Sequence, residues 1–407
     1  MSTARADALH LPPVPPPAAA THPWRDRAVA LFFVVAIAMP GLALIATASL
    51  TTTRYENRAA NAWPSLTDEM PLREYAAAFE NAFSDRFGGR NALVKLQHAL
   101  LVGVLHTSPV PEVVLGSEDW LFLMPGYKEF GAELSSAQRL PRSRDYASIV
   151  AAIGRRIAYL DAAGIAYLLV VVPDKQTIYP EYYPAGLRAQ QRDSLLDAVM
   201  AHLPAQWRSH VLDLRAPLLA AKARRQVYFR TDTHWNMSGA WVGYDAIRTR
   251  LADAGDPPAH ATEMPPIVAK GNTSGDLAMM LGLPSWFAEP SFALAPGGRA
   301  WQCARTATGE MPVWDAPAQA LYCPSATRAG VAIHHDSAGL PLLPWLPGDF
   351  QVSRWVRGRA WNLDALAADK PALLIDEVVE RNLPVLADTA FLERRGSPGN
   401  VAPTPVK

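Results

Sequence analysis

Ile165-Ala-Tyr-Leu-Leu-Val-Val-Val172 is the stretch that decides the fold class. Eight residues run without the polar alternation of a half-exposed strand, as expected of a strand buried on both faces of a parallel sheet. Working outward, 149–162 reads as a helix before this strand and 190–203 as a helix after it. A short strand is expected at 211–214, then helices near 215–224 and over 238–254. Further on, 330–334 reads as a strand followed by a helix, 351–356 as a strand, and 372–375 as a last short strand. This alternation predicts an α/β fold with a mostly parallel sheet flanked by helices. Residues 284–328 break it and read as an insertion of loops or short strands. Upstream, 71–104 reads as helix, with Tyr75, Phe79, Phe83, Leu93, Leu96 and Leu100 near spacings of three and four. Glu112 to Leu123 reads as a hairpin turning at Gly116 to Asp119.

The chain has 407 residues, half of them apolar, enough to bury a large core. Thirty-eight basic residues balance 38 acidic ones. That balance removes the electrostatic argument for a nucleic-acid partner. Twelve tryptophans leave two readings open, sugar-stacking surfaces or plain core.

No charged residue occurs between Arg27 and Arg54. Residues 28–50, AVALFFVVAIAMPGLALIATASL, suffice in length and apolarity for a bilayer span, and Pro40-Gly41 is tolerated there. Arg5, Arg25 and Arg27 upstream place the N-terminus inside, although Arg54 and Arg58 downstream are also basic. A cleaved signal peptide ending near residues 46–48 is the alternative. The length of the apolar run and the Pro-rich tail before it favour an uncleaved anchor. The expected organisation is a disordered cytoplasmic tail over 1–27, an anchor over 28–50, a linker over 51–70, an exported domain over 71–390 and a tail over 391–407. In an oxidising compartment the two cysteines, Cys303 and Cys323, are expected to pair; two unpaired buried thiols are the other reading.

Three polar stretches can carry chemistry. In Thr231-Asp-Thr-His-Trp-Asn236, a carboxylate stands two residues from an imidazole, a spacing that lets Asp232 orient His234 as a general base. The same spacing also suits a turn capped by Asp232 with a structural histidine. In Val331-Ala-Ile-His-His-Asp-Ser337 a strand ends and a helix begins, where an α/β sheet faces its crevice. Ser337 there is either a nucleophile or a helix cap. Gly271-Asn-Thr-Ser-Gly-Asp-Leu277 reads as a polar turn that donates to a site or caps a helix with Asp276. Asp232, His234, His334, His335 and Asp336 are all metal-ligand types, but no spacing matches a zinc motif, so no metal is expected.

Together these stretches resemble the alginate O-acetyltransferase family of AlgJ and AlgX type, a DHHW-type branch of the SGNH-like hydrolases. The similarity covers about residues 75–385. It takes in Phe83-Ser-Asp-Arg-Phe-Gly-Gly-Arg90, Gly116-Ser-Glu-Asp-Trp-Leu-Phe122, Val172-Pro-Asp-Lys-Gln-Thr-Ile-Tyr-Pro-Glu181 and Thr231-Asp-Thr-His-Trp-Asn236. Gly275-Asp-Leu277, Asp336-Ser337 and Val379-Glu-Arg-Asn-Leu383 follow in order. The resemblance implies an SGNH-like (flavodoxin-like) fold, with Ser337 as nucleophile, His234 as base and Asp232 as its orienter. Asp336, Asn272, Ser274, Trp235, Tyr179 and Lys175 are the candidates for substrate or oxyanion contacts. It further implies acetyl transfer to a polysaccharide through an acetyl-serine, at a bacterial inner membrane with the domain in the periplasm. No bound cofactor is expected; a multi-pass membrane O-acyltransferase partner is the implied acetyl source. The chain departs from the family pattern at His335, where the family has Gly, and at Ala338, where Phe or a similar residue often follows the serine. A side chain at 335 is expected to crowd the turn. Two other functions are open: a carbohydrate acetylesterase using the same three residues, and, suggested by His335, a non-catalytic membrane-tethered scaffold or glycan-binding subunit of an exopolysaccharide complex.

Overall fold

The computed structural model describes residues 23–47, 52–53, 58–59, 61–65, 71–86, 90–124, 143–189, 193–253, 263–295, 305–310, 316–358 and 360–393. Most of the tails expected over 1–27 and 391–407, namely 1–22 and 394–407, and much of the linker over 51–70 lie outside them. The chain divides into two compact units, 1–94 and 95–407.

In the first unit, Pro23–Thr47 is one helix covering most of the expected anchor; from residue 39 its side chains fall outside the described ones. Among the described residues no helix is long and apolar enough to cross a membrane. A short antiparallel pair follows, β1 (Thr52–Thr53) and β2 (Arg58–Ala59). In the helix Leu72–Arg86, Tyr75, Phe79 and Phe83 stack at centroid separations of 6.4 and 6.3 Å, the outcome of their four-residue spacing. The single helix expected over 71–104 is instead two, the second being Arg90–Gly103. Residues 87–89, which hold Gly88-Gly89, separate them and lie outside the described residues.

The second unit opens with the expected hairpin, β3 (Val113–Leu115) and β4 (Leu121–Leu123). Glu118 and Asp119 take positive φ at its turn. Its main sheet has six strands: β5 (Ala166–Val172), β6 (Val211–Asp213), β9 (Ala318–Tyr322), β10 (Val331–His335), β11 (Val352–Arg357) and β12 (Leu373–Val379), in the order β6-β5-β12-β10-β11-β9. All neighbours are parallel except β11 and β9. A separate antiparallel pair joins β7 (Ile267–Ser274) to β8 (Ala288–Leu294). The stretch expected as an insertion therefore supplies β8 and the sheet edge β9, and the expected polar turn at 271–274 is the end of β7.

β5 shows why the apolar run decides the fold. Leu168, Val170 and Val172 pack into one core and Tyr167, Leu169 and Val171 into another. The first core contains the helix Met237–Asp253 and the second the helix Ser143–Ala163. Burial of each such aliphatic side chain contributes about 1.5–3 kcal/mol. β12 is longer than the expected 372–375 and central. Asp376 breaks the apolar pattern within it, yet its carboxylate accepts Trp361 Nε1–H at 2.9 Å and the Tyr167 hydroxyl at 3.0 Å, with Arg156 Nε 3.6 Å away. A buried charge is tolerated when it is paired and hydrogen-bonded.

Cys323 is disulfide-bonded, and among the described residues no cysteine is free. Cys303, its expected partner, lies outside the described residues.

Candidate active site

Three adjacent parallel strands end on one edge of the sheet, as an α/β crevice requires. Beyond β5 come Asp174 and Lys175, beyond β10 come Asp336 and Ser337, and beyond β12 come Glu380, Arg381 and Asn382. The fourth contributor is the loop 229–234, closed by a bridge between Tyr228 and Trp235 and by Phe229 N–H donating to the His234 carbonyl at 3.2 Å.

Two buried, oppositely charged side chains hold that loop. Glu289, from β8, accepts the N–H of Arg230 at 2.8 Å and of Thr231 at 2.7 Å. Lys175 donates to the carbonyls of Phe229, Arg230 and Asp232 at 3.2, 2.9 and 2.7 Å. A carboxylate takes the donors and an ammonium takes the acceptors of the same few peptides. Burial pulls the Lys175 pKa down to about 7 against the opposing pull of Asp232, Asp276 and Glu289.

Gly275 closes the loop from the other side. Its N–H donates to Thr231 Oγ1 at 2.9 Å, and a Cβ there would lie 2.3 Å from the Thr231 carbonyl and 2.4 Å from the Asp232 nitrogen. Gly275→Ala is expected to cost about 1–3 kcal/mol and to depress activity by displacing Asp232. Thermal melts and turnover measured together check this; an unchanged pair of values rules out the contact as a determinant.

Within the loop, Asp232 Oδ1 accepts from His234 Nδ1 at 2.6 Å and from the His234 N–H at 2.9 Å. Asp232 Oδ2 accepts the Asp276 N–H at 2.9 Å. Asp276 in turn accepts Thr233 N–H at 2.7 Å, and its second oxygen lies 3.8 Å from His234 Nδ1. The imidazole is thus fixed with its proton on Nδ1, leaving Nε2 as a base. Nε2 is buried and has no hydrogen-bond partner. Burial works to lower the His234 pKa, but the hydrogen bond and charge of Asp232, then the charge of Asp276, raise it above the ordinary imidazole value. For Asp232, burial raises the pKa and the His234 interaction outweighs it, holding the carboxyl below the usual range.

Trp235 couples this loop to the serine turn. Its indole N–H donates to the Ala338 carbonyl at 3.0 Å, one residue past Ser337. The ring fills a slot beside Gly243, where a Cβ would come within 2.6 Å of it. Asp336 shapes the turn itself. Its carboxylate accepts the Ala338 N–H at 2.9 Å, the Val379 N–H at 3.0 Å and the Asn382 side-chain amide at 2.9 Å. Ser337, half-buried, opens a short 3-10 turn. Its hydroxyl is not bonded to His234 Nε2 in this geometry.

His335 does not obstruct the turn. Its side chain is buried, with Nδ1 2.6 Å from the Asp336 carbonyl and its ring edge-on to Trp355 at 5.6 Å. Gly339 supplies the space: a Cβ there would lie 2.4 Å from the His335 Cβ. A glycine four residues later compensates for the missing glycine at 335.

Several expected contact residues are supports instead. Lys175, Trp235 and Asp336 are engaged as described, and Tyr179 is buried with its hydroxyl accepting the Val227 N–H at 2.9 Å. Ser274 donates to the Pro284 carbonyl at 2.6 Å, and Asn272 is exposed on β7. His334 and His335 are buried in β10, so the five metal-ligand types do not form one set. Asp232, His234 and Asp276 do present ligand-type atoms within 4.8 Å of one another, but both carboxylates already accept the loop's own N–H donors.

Arg381 lies in the quoted stretch Val379–Leu383, where the sequence reading gives it no role. Its guanidinium donates to Asp174 Oδ1 at 2.9 Å. Burial opposes its charge, while Asp174 and then Asp336 reinforce it. Its charge also lowers the His234 pKa. Arg381→Met is expected to raise that pKa and shift the acid limb of the pH–rate profile to higher pH; a limb that stays put shows that the charge does not reach the imidazole. Its position just beyond a parallel strand was the available signal.

The mostly parallel sheet and the polar residues at its strand ends fit the SGNH-like α/β class. Residues 113–327 match the family described as "SGNH hydrolase-like domain, acetyltransferase AlgX", and the chain belongs to that family. The matched span contains Asp232 and His234 and ends before Ser337. A "Probable alginate O-acetylase AlgJ" of Pseudomonas putida is 28% identical over 312 residues, 70% of this chain and 73% of the relative. The like-named protein of Pseudomonas aeruginosa is 32% identical over 183 residues, 44% of each chain. The solved "O-Acetyltransferase Domain of Pseudomonas putida AlgJ" superposes with a TM-score of 0.43 at 22% identity, covering 69% of this chain and 95% of that one.

Proposed function

We propose that this protein transfers acetyl groups to hydroxyls of an exported polysaccharide through an acetyl-Ser337 intermediate. The observation that carries the proposal is the His234 imidazole, oriented through Nδ1 by Asp232 and presenting a buried, unpartnered Nε2 beside the turn that holds Ser337. A donor that seats its acetyl carbonyl at the turn draws the Ser337 hydroxyl onto Nε2, a bond that tightens on substrate binding. As Oγ attacks, its proton passes to Nε2 and then to the leaving group. A sugar hydroxyl next gives its proton to Nε2 as its oxygen attacks the acetyl-serine, and Ser337 recovers that proton on release.

The relatives named as alginate O-acetylases support a polysaccharide acceptor. Residues 28–50 anchor the chain in the inner membrane in this reading, with the larger unit in the periplasm. The disulfide at Cys323 supports an oxidising compartment. Acetyl then arrives from a multi-pass membrane O-acyltransferase, and this chain needs no cofactor of its own.

The test is incubation of the full chain in detergent with an activated acetyl ester and an unacetylated polysaccharide. Mass spectrometry is expected to find acetyl on the peptide containing Ser337 and then on the glycan. Acetyl release with no glycan acetylation assigns an esterase instead, and no acetyl on Ser337 removes the serine mechanism.

A further inference from the structure

Apart from the catalytic loops, the second unit contains a cleft of about 670 Å³ between the β3–β4 hairpin, the segment 181–188 and the residues around Trp286. We infer that this cleft is a subsite for a segment of the acceptor glycan, separate from the sugar that reacts. The inference rests on the acetyl-transfer reading above for its substrate class.

The lining has the two parts such a ligand needs. Tyr182 and Trp286 supply aromatic surface, with the buried Trp120 stacked behind Tyr182, and His106, Asp119 and Arg188 supply polar groups at the wall. Sugar rings present apolar C–H faces and a girdle of hydroxyls, so aromatic faces with donors and acceptors of both signs match them. A nucleic acid would call for a basic lining of one sign.

The aromatic surface is built into the fold. Trp120 stacks on Tyr182 with centroids 4.7 Å apart and planes 7° from parallel. The Ser117 N–H donates to the Tyr182 carbonyl at 2.9 Å, locking the hairpin to the segment behind it. Trp286 is 50% exposed, whereas Trp120, Trp235, Trp345, Trp355 and Trp361 of the same unit are buried. Its ring rests against the backbone of Gly103, where a Cβ would come within 3.0 Å. One side of the indole is supported while the rest of the ring stays available.

The cleft is also tied to the catalytic loop. Leu121 N–H donates to the Arg230 carbonyl at 2.9 Å. Lys175 Nζ lies 5.8 Å from the Trp120 ring centroid and 2.7 Å from the Asp232 carbonyl. A polymer held here adds binding that a single sugar at Ser337 lacks, which lowers KM for long acceptors without touching the acetyl chemistry.

The test uses the full chain and its Trp286→Ala variant. Tryptophan fluorescence is titrated with alginate oligosaccharides and with neutral cello-oligosaccharides. Hydrolysis of p-nitrophenyl acetate and acetyl transfer to polymer are measured alongside. The expected result is a saturable fluorescence change with one of the two glycans that is lost in Trp286→Ala. The variant is expected to show about a tenfold rise in KM for polymer, with p-nitrophenyl acetate turnover unchanged. No fluorescence change with either glycan, or an unchanged polymer KM in the variant, overturns the subsite. Absence of p-nitrophenyl acetate turnover and of transfer in the wild type, with saturable fluorescence binding intact, overturns the acetyl-transfer reading and leaves the glycan site standing.

Discussion

In the proposed mechanism Ser337→Ala is expected to lower acetyl turnover by about four orders of magnitude or more, because it removes the nucleophile. Loss of the hydroxyl removes the covalent intermediate entirely, so the residual rate reflects positioning alone. The folded state should scarcely notice. The residue is half-buried, and the turn is held by the Asp336 carboxylate and the Trp235 indole rather than by the serine side chain. A melting temperature within ~2 °C of wild type is expected for such a change. Turnover with an activated acetyl ester, paired with a thermal melt, is the measurement. A variant that keeps a tenth of the wild-type rate would falsify the nucleophile assignment.

The second large effect belongs to Asp232→Asn. Asparagine keeps the shape, but one of its terminal atoms is an NH2 donor that cannot accept the Asp276 N–H or, turned the other way, the two His234 donors, and it favours the wrong tautomer. A loss of about four orders of magnitude is the precedent for such a change in a serine triad. The pH dependence separates this from simple misfolding. Asp232 is the leading cause that raises the His234 pKa. In the proposed mechanism the general base is the neutral imidazole, so the rate is expected to climb as pH rises through that raised value. Removing the carboxylate lets the pKa fall, and the remaining activity should show its acid limb at lower pH. Arg381→Met should move the same limb the other way. For stability the sign is opposite to that of activity. The ion pair's contribution is complete below the ordinary imidazole value of 6.5 and is lost as pH rises through the raised folded value. A limb that fails to shift in Asp232→Asn would show that another group sets it.

The residues that act on the imidazole differ in how visible they were. Asp232 and His234 share one short stretch, so their pairing is local and legible. Asp276, 44 residues on from Asp232, was legible only as a cap; the close approach of Gly275 to the Thr231–Asp232 backbone brings it to the ring. Glu289 fell in a stretch that reads as an insertion, although it holds two of the loop's N–H groups. Lys175 and Asp336, expected at substrate or oxyanion contacts, are bonded to backbone groups in the structure. Their contacts, with backbone groups far away in sequence, carry no local pattern. The crowding expected of His335 is relieved by Gly339, whose empty side is occupied by the imidazole.

Sequence alone determined the parallel α/β class, since a run such as 165–172 has no exposed face to offer, and the apolar character of 28–50. It also determined the local coupling of Asp232 to His234. Tertiary structure alone decided which strand ends are neighbours: β12, shortened in sequence by Asp376 and Glu377, lies between β5 and β10 and brings Arg381 and Asn382 to the serine turn. The reason is that periodicity reports whether a face is buried, whereas which face meets it, and which buried charge finds a partner, depends on strand order across the sheet.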